Sequence, residues 1–574
     1  MVARGIVLCL LLSVVIGCAP TVAPGSPSSS NSGSGPSNNS AASSSTGRTM
    51  VIAIRAEPNT LSGKSGVASG VTLTTTRRLF NANLVIFDQA GTPQPYLAAE
   101  LPRLNTDSWQ VNADGTMVTT YKLKPGLTWH DGQPLTADDF VFGYQVYLTP
   151  DLGAASAPPT PFMQEVLAPD PQTLTIRWKR PYPQAGQMAD VFPPLPRHIL
   201  DSTFQTAEAA TFAANPFWTQ QYIGAGPYKL DQWEPGAYIQ ASAFDKHTLG
   251  AAKIARVKMV FIGDANTVLA NLLADEVQFS ADDSIRFEQT LTLRRQWGPT
   301  GGQVLFKPDL WRATYFQFRR ESLKAPSLLD IRVRKALAMT VDKQSLNDAL
   351  FDGQSPFFSD VPFVPTTVDY FGQIEPSAAK YPYDPTQAQA LLSQAGFSRG
   401  GDGVWSDSSG KLILDFTTTS GSQNESELSI MAAGWRTQGI EVNESIFPVA
   451  LAQDQQARSA FPGLMTISMP QGEDTLSQYN SAAIPRAETR WVGFNRGGWS
   501  NAEFDRVAEM FVSTLEPDRR VQLIGQMERI YTEDVASIPL FFNAIPLVVV
   551  GAVKGPQNVA PASAIAWDIY NWTY

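Results

Sequence analysis

At 574 residues the chain is several times the ~150 residues of a typical domain, so more than one core is expected and a small stapled module is excluded. Hydrophobic residues make up 43% and charged residues 17%, and 43 Lys and Arg against 53 Asp and Glu give a net charge of −10 with no long basic run. Nucleic-acid binding, which needs a concentrated cationic surface, is excluded. The two cysteines, Cys9 and Cys18, both lie in the first 18 residues, and His130, His198 and His247 are widely separated. Downstream of Cys18 there is no disulfide, no cysteine nucleophile and no metal-ligand spacing of the HExxH kind.

The chain opens MVARGIVLCLLLSVVIGCAP, with Arg4 as a positive n-region and an apolar stretch from Gly5 to Gly17. That stretch is shorter than the ~20 apolar residues a membrane span takes, and it reads as a signal-peptide h-region over residues 1–17. Val15-Ile16-Gly17-Cys18 resembles a bacterial lipobox, which implies cleavage before Cys18 and a diacylglycerol on its sulfur. From Thr21 to Arg48 the chain is mostly Ser, Gly, Pro and Asn with no acidic residue. Such a segment cannot bury a core, and as a flexible coil it spans roughly 30 Å. Residues 18–48 are therefore expected to be a lipidated cysteine and a tether holding a body near a membrane.

From Met50 the pattern alternates strands and helices, with no repeat at a fixed period. MVIAIRAEPNTL predicts a buried strand and a turn at Glu57-Pro58-Asn59. SWQVNADGTMVTTYKLKPG, Ser108 to Gly126, alternates apolar and polar residues about Asp114-Gly115 and predicts a hairpin. Helix starts are expected after Thr136, where Asp138 and Asp139 favour an N-terminus, after Asp384-Pro385, and after Ser500-Asn501.

The order and spacing of these segments resemble the family 5 extracellular solute-binding proteins of ABC importers, which take dipeptides, oligopeptides, nickel complexes or oligosaccharides. The strongest match is YKLKPGLTWHDGQPLTADDFVFGYQ, Tyr121 to Gln145. AEPNTL and IFDQAGTPQPYLAAEL precede it. GAGPYKLDQWEPG (Gly224 to Gly236), DIRVRKALAMTVDKQSL (Asp330 to Leu346), YDPTQAQALLSQAGF (Tyr383 to Phe397), GWSNAEFDRVAEM (Gly498 to Met510) and RRVQLIGQMERIYTEDVASIPLFF (Arg519 to Phe542) follow. WDIYNW, Trp567 to Trp572, resembles the family's last strand. The resemblance implies an α/β, two-lobe periplasmic-binding-protein fold of type II. Lobe I is expected over residues 49–308 plus 540–574, with a subdomain inserted at about 88–220, and lobe II over 309–539. Two chain crossings between them would form a hinge.

The same resemblance implies a non-enzymatic, monomeric lipoprotein on the extracytoplasmic side, without cofactor or metal, passing a small solute to permease subunits and their ATPase. Peptide is the first expectation and oligosaccharide the second; a binding-fold lipoprotein recruited to sensing or envelope assembly is the third. Trp311 and Tyr315, at the expected crossing, are candidates to stack on ligand. In SMPQGEDTLSQYN, Ser468 to Asn480, Gln471 stands where relatives that hold a peptide ammonium carry an acid, and Glu473 and Asp474 are the nearby candidates to replace it. Arg319 likewise stands where the family shows Asn. His130-Asp131 reads as a structural turn, since no nucleophile motif accompanies it, and Gly63-Lys64-Ser65 lacks the first glycine of a phosphate loop.

Overall fold

A computed structural model describes residues 48–63, 74–152, 159–281, 284–298, 301–451, 454–489 and 491–574. The expected signal peptide, Cys18 and the expected tether up to residue 47 lie outside the described residues. Among the described residues the main sheet has ten strands. Thr49–Ile54 pairs in parallel with Arg256–Phe261, and two further strands, Tyr238–Ala243 and Tyr228–Glu234, extend that edge antiparallel. At the other edge Ile413–Thr419 lies between Glu441–Phe447 and Leu464–Met469. Two long strands join the halves, Gly302–Phe316 and Ser537–Val550, paired antiparallel along most of their length. Their ladder shifts register between Pro308 and Trp311 and again between Arg312 and Ala313. A proline without an N–H beside a bulge is where such a ribbon bends most easily.

Three buried clusters flank this sheet. One is built from residues between Met50 and Leu305 together with Leu515 and the return from Leu547 to Trp572. The other two lie between Phe287 and Phe542, on opposite faces of the second half. The two-residue period of the Gly302–Phe316 strand explains that division. Trp311, Ala313 and Tyr315 point to the helices Ala502–Ser513 and Pro517–Glu533, whereas Arg312 and Thr314 face the helix Ser422–Thr437 through Glu427 and Met431.

The expected local elements form. Trp109–Val111 and Met117–Lys122 make the hairpin, within a separate four-stranded sheet that includes Met163–Asp170 and Thr173–Trp178. Helices run over Ala137–Leu148, Pro385–Gln394 and Ala502–Ser513, the last two capped by the side chains of Asp384 and Asn501. WDIYNW differs from expectation: Ile565–Asn571 is a 3₁₀ segment. Its register is set by packing, with Trp572 fully buried edge-on against Phe279 and its indole N–H donating to Asp568.

The aromatic-His-Asp-Gly segment is a staple. His130 Nδ1 accepts from the Gly224 N–H at 3.2 Å and Nε2 donates to the Gly226 carbonyl at 3.0 Å. Those two roles require the neutral ring, and burial pushes its pKa down to about 4. The glycines are set by space, because a Cβ on Gly224 would meet the Phe80 carbonyl oxygen at 2.0 Å and one on Gly226 the Asn81 nitrogen at 2.5 Å. Asp139 plays a parallel part at the helix start. Its carboxylate accepts from the Thr136 N–H (2.9 Å), the Arg197 N–H (3.0 Å) and the Trp129 indole (3.3 Å), joining three segments.

Candidate ligand cleft

A cavity of about 670 Å³ opens between the two halves, a size that suits a small solute. One wall is the segment leaving the small sheet, from Arg180 to Val191, with Phe87, Phe162 and Ala562. The other comes from Asp474, Ser477, Gln478, Val512 and Arg520.

The first wall is rigid for local reasons. Tyr182 stacks on Trp178, ring centroids 5.0 Å apart, and lies 5.4 Å from Phe162. The Trp178 indole donates to the Thr119 hydroxyl at 2.9 Å, and the Tyr121 hydroxyl donates to the Ala185 carbonyl at 2.6 Å, tying the segment to the small sheet. The Arg180 guanidinium sits 4.1 Å above the Phe162 ring. Asp190 is neutralised from behind by Arg78 at 2.6 Å and accepts from Asn83 at 2.8 Å.

The second wall begins just past the Leu464–Met469 strand. Glu473 and Asp474 open a short helix, Glu473–Ser477, where negative charge suits the N-terminus. Glu473 is committed to structure, with Arg520 Nη2 at 2.6 Å and the Tyr370 hydroxyl donating at 3.4 Å. Arg520 is in turn occupied. Its Nη1 donates to the Phe511 and Thr514 carbonyls at the C-terminus of helix Ala502–Ser513, and its guanidinium lies 3.8 Å over the Phe511 ring.

Asp474 is the acid that faces the cavity. Its side chain is 63% exposed, and Arg520 stands 3.7 Å away. From the opposite wall Gln184 Nε2 donates to Oδ2 at 3.1 Å, a contact between residues 290 apart in sequence. The carboxyl opens to the cleft yet is crowded by protein on both sides. That desolvation, reinforced by the neighbouring Glu473, raises its pKa, while Arg520 and Gln184 oppose the shift.

The other candidates lie behind the wall. Trp311 is fully buried, its ring 4.1 Å from Phe363 and 5.9 Å from Tyr315. Tyr315 stacks on Tyr479 at 5.8 Å, and burial pushes its hydroxyl well above the ordinary phenol range. Gln471 Nε2 donates to the Pro308 carbonyl at 3.0 Å, linking the loop to the irregular point of the crossing strand. Of the five residues, Asp474 alone lines the cavity. Arg319 staples three segments through the carbonyls of Ser459, Arg496 and Pro485.

Arg180, Tyr182, Gln184, Asp190, Val512 and Arg520 were not singled out from sequence. The one local signal was Pro181-Tyr182-Pro183, which stiffens the chain and holds an aromatic ring out of regular structure. Among the described residues no cluster of His, Cys, Asp and Glu could hold a metal ion, and no helix is long and apolar enough to cross a membrane.

A family model described as "Bacterial extracellular solute-binding proteins, family 5 Middle" matches residues 101–484. The chain is 25% identical over 444 residues to the oligopeptide-binding protein AppA of Bacillus subtilis, covering 75% of this chain and 76% of that one. It is 23% identical over 455 residues to heme-binding protein A of Haemophilus influenzae, covering 76% and 77%. Its fold is similar to that of NikZ from Campylobacter jejuni, solved in complex with Ni(L-His), with a TM-score of 0.66 at 22% identity over 92% of this chain and 99% of that one.

Proposed function

Because the chain belongs to family 5 of the bacterial extracellular solute-binding proteins, which are extracytoplasmic binding proteins and not enzymes, we propose that it captures an oligopeptide or dipeptide between its lobes and delivers it to the permease of an ABC importer. The observation that carries this reading is the cleft itself. Two walls from opposite lobes, each stiffened from behind, present an acid, a cation and aromatic faces to one cavity of about 670 Å³. A peptide supplies the complement, with charged termini and apolar side chains. The similarity to an oligopeptide-binding protein over three quarters of both chains supports the same ligand class.

In this reading lobe I comprises residues 49–308 and 540–574, with an inserted subdomain at about 88–220, and lobe II comprises 309–539. The paired crossing strands are the hinge, bending at the register shift beside Pro308. Ligand that touches both walls favours closure, since only the closed arrangement makes both sets of contacts. Asp474 meets the ligand, with Glu473 and Gln471 holding its surroundings and Trp311 and Tyr315 supporting the wall. Cys18 carries the lipid that anchors the monomer outside the cytoplasmic membrane.

Oligosaccharide is the second reading, favoured by the Tyr182 and Phe162 rings on the cleft wall, since flat aromatic faces suit sugar rings. Mass spectrometry of solute co-purified with the protein separates the two. Short peptides released on denaturation are the expected result, and sugars without peptide would replace the first reading with the second.

A further inference from the structure

Within the peptide reading above, on which this inference rests, the geometry points to Arg180 as the residue that takes the ligand's terminal carboxylate and so makes a free C-terminus a condition of tight binding. The argument begins with the charges on the cavity wall. Its lining carries two cations and two acids, Arg180 and Arg520, Asp190 and Asp474. Asp190 is answered by Arg78 at 2.6 Å. Arg520 is answered by Glu473 at 2.6 Å and by two helix-terminal carbonyls.

Arg180 differs from its own neighbours as well. Arg177 pairs with Glu165 at 3.3 Å, and Lys179 donates to the Pro161 carbonyl at 3.3 Å. Arg180 has no acid and no carbonyl partner among the described residues; its one contact is the Phe162 ring, 4.1 Å below its guanidinium. Stacking on a ring restrains the guanidinium without using its N–H groups, which remain free in a planar fork. A fork of that shape fits a carboxylate through two parallel hydrogen bonds, whereas an amide carbonyl offers one acceptor and no charge. Phe162 is itself held against Tyr182 in the stiffened wall, so the fork is positioned before ligand arrives.

The position in the cleft gives the ligand a direction. Arg180 is on the lobe I wall and Asp474 on the lobe II wall, so a zwitterionic peptide lies across the cavity with its carboxylate toward the inserted sheet. A neutral sugar has no group that discriminates between these walls by charge.

The test is competition between two forms of a degenerate tetrapeptide mixture, free acid and C-terminal amide, with retained species read by mass spectrometry on the full chain. Wild type is expected to enrich the free acid about tenfold or more, as one charge-assisted bidentate contact implies. Arg180→Gln should bring the ratio close to one, and Arg180→Lys should leave an intermediate ratio, with melting temperatures checked to show that both variants fold. Equal retention of acid and amide by wild type overturns the inference while leaving the peptide reading intact. So does an acid preference that survives in Arg180→Gln. If wild type retains neither form, the peptide reading falls and this inference falls with it.

Discussion

Asp474 and Glu473 are adjacent acids with different work, and the difference is one of partners. Glu473 balances Arg520 at 2.6 Å, whereas Asp474 reaches across the cleft to Gln184. Asp474→Asn is therefore expected to remove the advantage of a free over an acetylated peptide N-terminus, a loss of about ten- to a hundredfold for a charge-assisted hydrogen bond of ~1.5–3 kcal/mol. Glu473→Gln should leave that advantage and lower the melting temperature instead. Calorimetry on both variants distinguishes the roles, and a reversed pattern would exchange them. Glu528 offers a second residue-scale test. It is fully buried on helix Pro517–Glu533, neither carboxyl oxygen has a partner among the described residues, and burial raises its pKa well above the usual range. A raised acid pKa means that the folded state holds the proton more tightly. Its contribution is complete below pH ~4.5 and declines by ~1.4 kcal/mol per pH unit as pH rises toward the folded value. Denaturant melts at pH 5 and pH 8 should show wild type losing more stability than Glu528→Gln, and parallel losses would show that the carboxyl is solvated.

At the scale of elements, the Ser422–Thr437 helix is fastened to the sheet by a buried charge. Arg312 Nε donates to Glu427 at 2.5 Å with both side chains at or near zero exposure, and the same guanidinium reaches the hydroxyls of Ser468 and Thr418. Burial raises the Glu427 pKa and Arg312 opposes that shift, so the pair is held by its own attraction against a desolvation cost. Glu427→Ala leaves a buried cation unanswered and should cost about 3–5 kcal/mol in urea unfolding. Replacing both members by Leu and Met should cost less. A single mutant no worse than the double would mean that water reaches Arg312.

For the whole molecule, closure and anchoring are the expected behaviours. Small-angle scattering should give a smaller radius of gyration with a bound peptide than without, and the melting temperature should rise with ligand concentration by mass action. An unchanged profile at saturation would mean that the crossing strands do not act as a hinge. Anchoring is expected to depend on one thiol. Cys18→Ala should move the protein from the membrane to the soluble fraction with its melting temperature unchanged, because a Ser/Gly tether contributes no core. Wild type found unacylated in the soluble fraction would remove the lipid from the account.

Sequence alone determined the family, the mixed α/β class and the local elements whose causes are local. Caps at Asp384 and Asn501 and the Asp114-Gly115 turn are written within a few residues of where they act. The cleft was decided by tertiary structure. Asp474 and Gln184 are 290 residues apart, Arg78 neutralises Asp190 across 112, and no short-range pattern reports such pairs. Trp311 and Tyr315 show the same limit, since strand alternation gives which residues share a face but not whether that face meets a cavity or a helix layer. WDIYNW resembles the family's last strand, yet the chain there closes as a 3₁₀ segment with Trp572 sealed against Phe279. Which charge on the cleft wall is left unpaired follows from what Asp190, Arg520 and Asp474 have already met, and only the folded chain makes those pairings.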